Sequence, residues 1–166
     1  IPFIYEGHEV AAHTLTHPNL TQIEDEKEII RQVEQDRLNL SSLVVYNVRG
    51  FAYPGGGVNF NEHVASVIES TTGVEFARTI SCSYNFDLQD NLYRFKPTVY
   101  YIEDCLDEVV DRFLSLDRDE PSLLYIWGHS YEFDAWDFWA RFEDFCRMMS
   151  GKEDIFYGTN REVLEL

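Results

Sequence analysis

Basic side chains are scarce. Thirteen Lys plus Arg stand against thirty Asp plus Glu, a formal charge of −17. Such a charge repels phosphate backbones and anionic headgroups, which argues against nucleic acid or an anionic membrane as partner and leaves a neutral or cationic ligand. Long hydrophobic runs are missing too. The longest, such as SLLYIW at 122–127, fall far short of the ~20 residues that cross a bilayer as a helix, so no membrane insertion is expected. Cysteine is sparse: Cys82, Cys105 and Cys146 are odd in number, widely spaced and without a C-x-x-C pair. That argues against a disulfide framework, and each reads as a small buried apolar side chain. Repeats, linkers and low-complexity tracts are also lacking. The opening IPFIYEG has no methionine, basic n-region or apolar h-region. It points to no compartment, and an N-terminally shortened chain is expected.

What is present suits one domain over 1–166. At this length roughly two-thirds of the unfolded surface is buried on folding. Strand and helix signals alternate. EVAA before His13 is a short extended stretch. Thr21 with Glu24 forms a T-x-x-E capping box at the head of a helix with Ile29, Ile30, Val33 and Leu40 on one face. LVVYNVRGFAYP reads as a strand stopped by Pro54 and Gly55–Gly57, and a helix follows from Asn59 and Glu62, with Val64, Val67 and Ile68 inward and Gly73 as C-cap. EFARTI is a strand, and Tyr93 to Val99 is extended. A helix from Asp104 turns Leu106, Val109, Val110 and Phe113 inward. SLLYIW is a buried strand, and 135–149 a helix with Trp139, Phe142, Cys146 and Met149 on one face. DIFYGT is a last strand. Repeated β–α units predict an α/β fold with a largely parallel sheet, open or curled into a barrel.

Three segments fall where strands end, the usual seat of chemistry in such folds: HTLTH, YPGGG and WGHSYEFD. In the first, His13 and His17 lie four apart, just over one helical turn, so both ring nitrogens can point at one spot. That spacing also arises by chance. His8 reads as structural or as support for the pair, and His63 as solvated. His129 ends an apolar strand and is open to an interior role as well as a chemical one. The aromatic stripe after Trp136 reads as core.

Together these segments resemble the polysaccharide deacetylase family, the NodB-homology or carbohydrate esterase family 4 group. GHEVAAHTLTHP is similar to its H-[ST]-x-x-H metal motif at His13, Thr14 and His17, FAYPGGG to its oxyanion loop, and LLYIWGHSYEF to its late histidine motif. The resemblance implies a distorted (β/α) barrel with a divalent metal, most often zinc, with cobalt, nickel or manganese as alternatives. It implies hydrolysis of acetyl groups, mostly N-acetyl, on a carbohydrate. His13 and His17 would be metal ligands. Tyr53, Pro54 and the backbone N–H near Gly55 would form the oxyanion and substrate loop. His129 would protonate the leaving amine, a task suited to a group titrating near neutrality.

The chain departs from the pattern in places. Ala52 stands where many members have arginine, so Arg49 or Arg78 is a candidate to orient a carboxylate. Gly55 replaces an aromatic. Glu132 and Asp134 lie close to His129 in sequence and could orient it or sit at the rim. The Thr-Phe-Asp-Asp motif that gives members their base and third ligand is absent: only Glu6 precedes His8 among carboxylates. A barrel lacking its first strand is expected, with self-association through the exposed sheet edge. Two readings stand: a deacetylase shortened at its N-terminus, and a non-catalytic carbohydrate-binding or interaction relative.

Overall fold

The computed structural model describes residues 3–117 and 119–164; Ile1, Pro2, Arg118, Glu165 and Leu166 lie outside them. The chain forms two compact units, one of residues 3–81, 89–96 and 158–164, the other of 82–88 and 97–157.

In the first unit, Asp25 begins helix α1, Glu26–Val44, by accepting the Lys27 N–H at 3.0 Å, and Glu26 and Glu28 complement the positive end of the helix dipole. The capping box expected at Thr21 and Glu24 does not form. Asn19 instead caps a 3₁₀ turn, Leu20–Gln22, accepting the Thr21 N–H at 3.0 Å and hydroxyl at 2.7 Å, so that hydroxyl is engaged before α1 begins. Ile29 and Val33 are fully buried, with Ile30 and Leu40 packed on the same core, as the periodicity predicts.

Helix α1 also runs through Leu43 and Val44, where the apolar run predicts a strand. Each further residue adds a helical hydrogen bond, and that local gain prevails until Val45 stops the helix at φ +64°. Strand β1 is therefore only Gly50–Ala52. Asn61 caps α2, Glu62–Thr71, by accepting the Val64 N–H at 2.8 Å, and Val64, Val67 and Ile68 are buried as expected. Thr72 rather than Gly73 is the C-cap. Gly73 has another use, since a Cβ there would lie 2.5 Å from the Arg37 guanidinium.

Strand β2, Phe76–Arg78, pairs parallel to β1 in the register Gly50–Phe76, Phe51–Ala77 and Ala52–Arg78. Single bridges extend this on both sides, Ala12 to Phe51 and Arg78 to Phe95, giving the order Ala12, β1, β2, Phe95. Gly50 permits the close approach: a Cβ would sit 2.5 Å from the Phe76 ring and 3.0 Å from Ala11. Phe51, Phe76, Ile29, Val33 and Ile68 are buried in this unit, each contributing roughly 1.5–3 kcal/mol.

The second unit repeats the β–α–β pattern on a smaller scale. Strand β3, Val99–Tyr100, leads to α3, Leu106–Leu114, and then to β4, Ile126–Trp127, parallel to β3. Leu106, Val109 and Val110 are buried and Phe113 packs on them. The extended stretch expected from Tyr93 holds only at its end, because Leu92–Arg94 is a 3₁₀ turn. SLLYIW keeps two residues of strand, both half-buried.

The helix expected over 135–149 is two helices, α4, Tyr131–Ala135, and α5, Trp139–Met149, separated at Asp137 with φ +55°. Of the face expected inward on α5, Met149 is buried and Phe142 half-buried, while Trp139 and Cys146 are exposed; Phe145 and Met148 pack on the same core as Met149. Cys82 and Cys105 are half-buried and Cys146 is exposed, so the small buried side chain expected is met in part at the first two and not at the third. DIFYGT forms no strand: Gly151 turns the chain at φ +72°, and the Tyr157 hydroxyl closes the loop on the Met149 carbonyl and the Lys152 N–H. The fold is α/β with every described strand pair parallel. Among the described residues the strands form two two-stranded sheets and no closed barrel.

Glu34 ties α1 to the end of α2. It receives Arg37 through both oxygens at 2.6 and 2.8 Å and the Gly73 N–H at 2.9 Å, while Arg37 also reaches the Val48 carbonyl at 3.1 Å. The Arg37 hydrogen bonds hold the Glu34 carboxyl below its ordinary range, against partial burial that pushes it up. A depressed carboxyl stabilises the fold above its unfolded pKa, and that contribution is lost as pH falls through the folded value. Glu34→Gln is expected to cost about 1–2 kcal/mol at pH 7 by urea denaturation. The gap to wild type should narrow below about pH 4; a pH-independent gap would refute the assignment.

Candidate active site

All pairings in the first unit are parallel, so Ala12 and β1 end at the same edge, and each is followed by a candidate segment. The Ala12 N–H reaches the Gly50 carbonyl at 2.8 Å, and the Ala52 N–H reaches the Ala12 carbonyl at 2.9 Å. His13 is thereby set beside the end of β1, where its Nδ1 lies 2.7 Å from the Ala52 carbonyl oxygen. A carbonyl only accepts, so Nδ1 carries the proton and Nε2 presents its lone pair. Partial desolvation of the ring is the main cause that lowers the His13 pKa, helped by the charges of His17 and Arg78 and opposed by the Ala52 carbonyl and Asp36. His13 is thus held in the neutral form that ligates metals.

The motif is not helical, contrary to the one-turn reading of its spacing. Thr14 and His17 occupy the left-handed region at φ +73° and +58°, a rare conformation for residues with a Cβ and rarer for a β-branched one. Each costs on the order of 1–3 kcal/mol and is held by its surroundings. The His17 N–H donates to Thr14 Oγ1 at 3.1 Å. Buried Gln32 of α1 takes the Thr16 N–H on its side-chain oxygen at 3.1 Å and the Leu15 N–H on its carbonyl at 3.1 Å. Asp36 accepts the His13 N–H at 2.8 Å. This loop, not a helical turn, brings the two imidazoles together, with ring centroids 4.9 Å apart and planes at 67°.

The loop after β1 is pinned from below. Tyr53 is buried and donates its hydroxyl to the Tyr93 carbonyl at 2.8 Å. Asn59, fully buried, directs its Nδ2 at three successive carbonyls, those of Tyr53 and Pro54 at 3.2 Å and of Gly55 at 2.9 Å. Gly55 and Gly57 take φ +81° and +66°. Among the described residues the Asn59 Oδ1 has no hydrogen-bond partner.

In the second unit, His129 follows β4. Its backbone N–H donates to Glu132 Oε2 at 3.0 Å, its Nδ1 lies 3.1 Å from Glu132 Oε1, and its carbonyl accepts the Tyr101 hydroxyl at 2.9 Å. The His129 side chain is half exposed, whereas Glu132 is buried.

The polysaccharide deacetylase family model matches residues 3–75. This stretch, less than half of the chain, is thus similar to that family. No curated protein and no solved structure matches the chain. The matched stretch carries both motif histidines, the Tyr53–Gly55 loop and Asn59.

Other residues singled out in the sequence find definite partners. Arg78 donates to the Thr79 carbonyl at 3.1 Å and acts on His13 through its charge. Arg49 pairs with Glu75 at 3.2 Å on the surface. His8 lines a cavity of about 490 Å³ with Glu9, Tyr46 and Arg161. Asp134 accepts the Trp139 Nε1–H at 2.8 Å, leaving Glu132 as the carboxylate on His129. His63 is exposed, 3.5 Å from Glu26. Gln32, Asp36 and Asn59 hold the two loops by hydrogen bonds, a part that sequence reasoning missed. Gln32 did carry a signal, as an amide between Ile29 and Val33 on the buried stripe of an amphipathic helix.

Asn59→Ala would leave the carbonyls of Tyr53, Pro54 and Gly55 without their shared donor. A loss of about 1–3 kcal/mol in stability is expected, with faster limited proteolysis between Gly55 and Val58. Unchanged cleavage would show that the loop holds its shape without Asn59.

Proposed function

We propose that this chain is part of a carbohydrate deacetylase that removes acetyl groups, mainly N-acetyl, from a saccharide, hydrolysing a carbon–nitrogen bond that is not a peptide bond. The observation that carries this reading is the HTLTH loop. It lies in the family-matched stretch, and Ala52 fixes the His13 tautomer with Nε2 free beside His17. The finer architecture we assign is the distorted (β/α) barrel of that family, supported by the parallel order Ala12, β1, β2, Phe95.

Two imidazoles fit a first-row divalent cation in donor type and orientation, zinc first, with cobalt, nickel and manganese as alternatives. They fall short in donor number: among the described residues no group of three or more His, Cys, Asp or Glu could hold a metal. Lewis-acid polarisation of the amide carbonyl is the chemistry such an ion supplies. In this reading the chain's own residues do the rest. Ala52 and Asp36 orient His13, Asn59 shapes the Tyr53–Gly55 loop toward a developing oxyanion, and His129 protonates the leaving amine. Removing that acid is expected to cost roughly 10²–10⁴-fold in turnover.

The short donor count favours a second reading, a carbohydrate-binding relative without hydrolysis. Zinc titration against a competing chelator, on wild type, His13→Ala and His17→Ala, addresses the metal. Each variant is expected to bind at least about tenfold more weakly, as loss of a ligand or its support does; equal affinity in all three would overturn the site. Acetate release from N-acetylated oligosaccharides with added zinc or cobalt then separates the two readings. Zinc binding without acetate release, with the oligosaccharide still retained, would favour the binding relative.

A further inference from the structure

The second unit contains a buried carboxylate whose surroundings are more elaborate than a helix start requires. The Glu132 side chain is 3% exposed, and among the described residues its ion pair is with His129, which is 48% exposed, rather than with an arginine or lysine. Oε2 takes the His129 backbone N–H at 3.0 Å, and Oε1 lies 3.1 Å from His129 Nδ1. The Tyr100 hydroxyl donates to the same Oε1. Burial pushes the Glu132 carboxyl up, but the hydrogen bonds from Tyr100 and from the His129 backbone outweigh it and hold the group below its ordinary range. An ionised carboxylate has no proton to give, so the Nδ1 contact exists only with the proton on Nδ1.

The scaffold around this pair is fixed from three sides. The Tyr100 ring stacks on Trp127, with centroids 4.3 Å apart and planes at 18°. The Tyr101 ring stacks on Phe133 at 4.6 Å while its hydroxyl holds the His129 carbonyl. Gly128 is needed for that packing, because a Cβ would lie 1.8 Å from the Tyr101 ring.

We propose that Glu132, braced by Tyr100, is the positioning residue of His129: it keeps the proton on Nδ1 and so makes Nε2 the nitrogen that exchanges a proton with a bound substrate. A histidine that delivers a proton from Nε2 must return to one defined neutral tautomer, and a buried acceptor on the opposite nitrogen enforces it. The proposal deepens the reading of His129 as the acid for the leaving amine and rests on it for its purpose. The tautomer itself can be read without substrate, metal or turnover.

The experiment is ¹H–¹⁵N long-range NMR on the full chain labelled at histidine nitrogens, at a pH where the imidazole is neutral. Wild-type His129 is expected to show Nδ1 protonated and Nε2 bare. Tyr100→Phe should keep that form, since the Glu132 contact remains, whereas Glu132→Gln should lose it as the dominant species, the amide being able to donate as well as accept. Backbone amide spectra report whether each variant is folded. A wild-type His129 protonated on Nε2 would overturn the proposal outright, even if a variant fails to fold. So would a folded Glu132→Gln with an unchanged tautomer. Absence of acetate release with the Nδ1 tautomer present would instead count against the deacetylase reading alone.

Discussion

The main-chain pairing of Ala12 with β1 governs the unit that carries the HTLTH loop. Two hydrogen bonds, to the Gly50 carbonyl and from the Ala52 N–H, fix the level at which the chain leaves the sheet. One residue later, His13 meets the carbonyl of the last strand residue, Ala52. A slip of one position would exchange every side chain between the faces of the pairing. Ala12, now fully buried, would then be displaced by a histidine, and the ring would lose the acceptor that sets its tautomer. The glycine at position 50 belongs to the same constraint, because only a residue without Cβ lets β1 lie this close to Phe76 and Ala11.

Helix α1 supports the loop by using polar groups in unexpected places. Gln32 stands in the buried stripe between Ile29 and Val33, and Asp36 one turn on. A buried amide is costly unless paired, and here the Thr16 N–H and hydroxyl and the Glu28 carboxylate supply the partners. The left-handed residues Thr14 and His17 are held in place by this web, with strain offset by hydrogen bonds from a rigid helix.

Much of this was legible in the sequence, and the pattern of what was not is instructive. Periodicity found the buried faces of α1, α2 and α3, because each face packs on a core of its own unit. The motif histidines were legible as a pair, but the spacing suggested a helical turn where a strained loop does the work, since left-handed conformations outside glycine leave no local signature. Strand lengths were overestimated at LVVYNVRGFAYP, where helix propagation took Leu43 and Val44, and at SLLYIW. The expected face of α5 holds at Met149 and Phe142 but not at Trp139 and Cys146, which are exposed. Glu132 and Asp134 could not be ranked from sequence; three dimensions give the first to His129 and the second to Trp139.

The Asn59 clamp has an electrostatic consequence for the Tyr53–Gly55 loop. In a trans peptide plane the carbonyl of one residue and the N–H of the next point in opposite directions, and among the described residues no peptide bond is cis. With the carbonyls of Pro54 and Gly55 drawn to Asn59, the N–H groups of Gly55 and Gly56 are turned to the opposite side, where both glycines are exposed. Pro54 has no N–H to contribute. The loop therefore presents two adjacent amide dipoles, positive ends outward, without a Cβ at either glycine to cover them. Such a pair forms a small fixed field for negative charge, set by one buried side chain on the far side of the backbone.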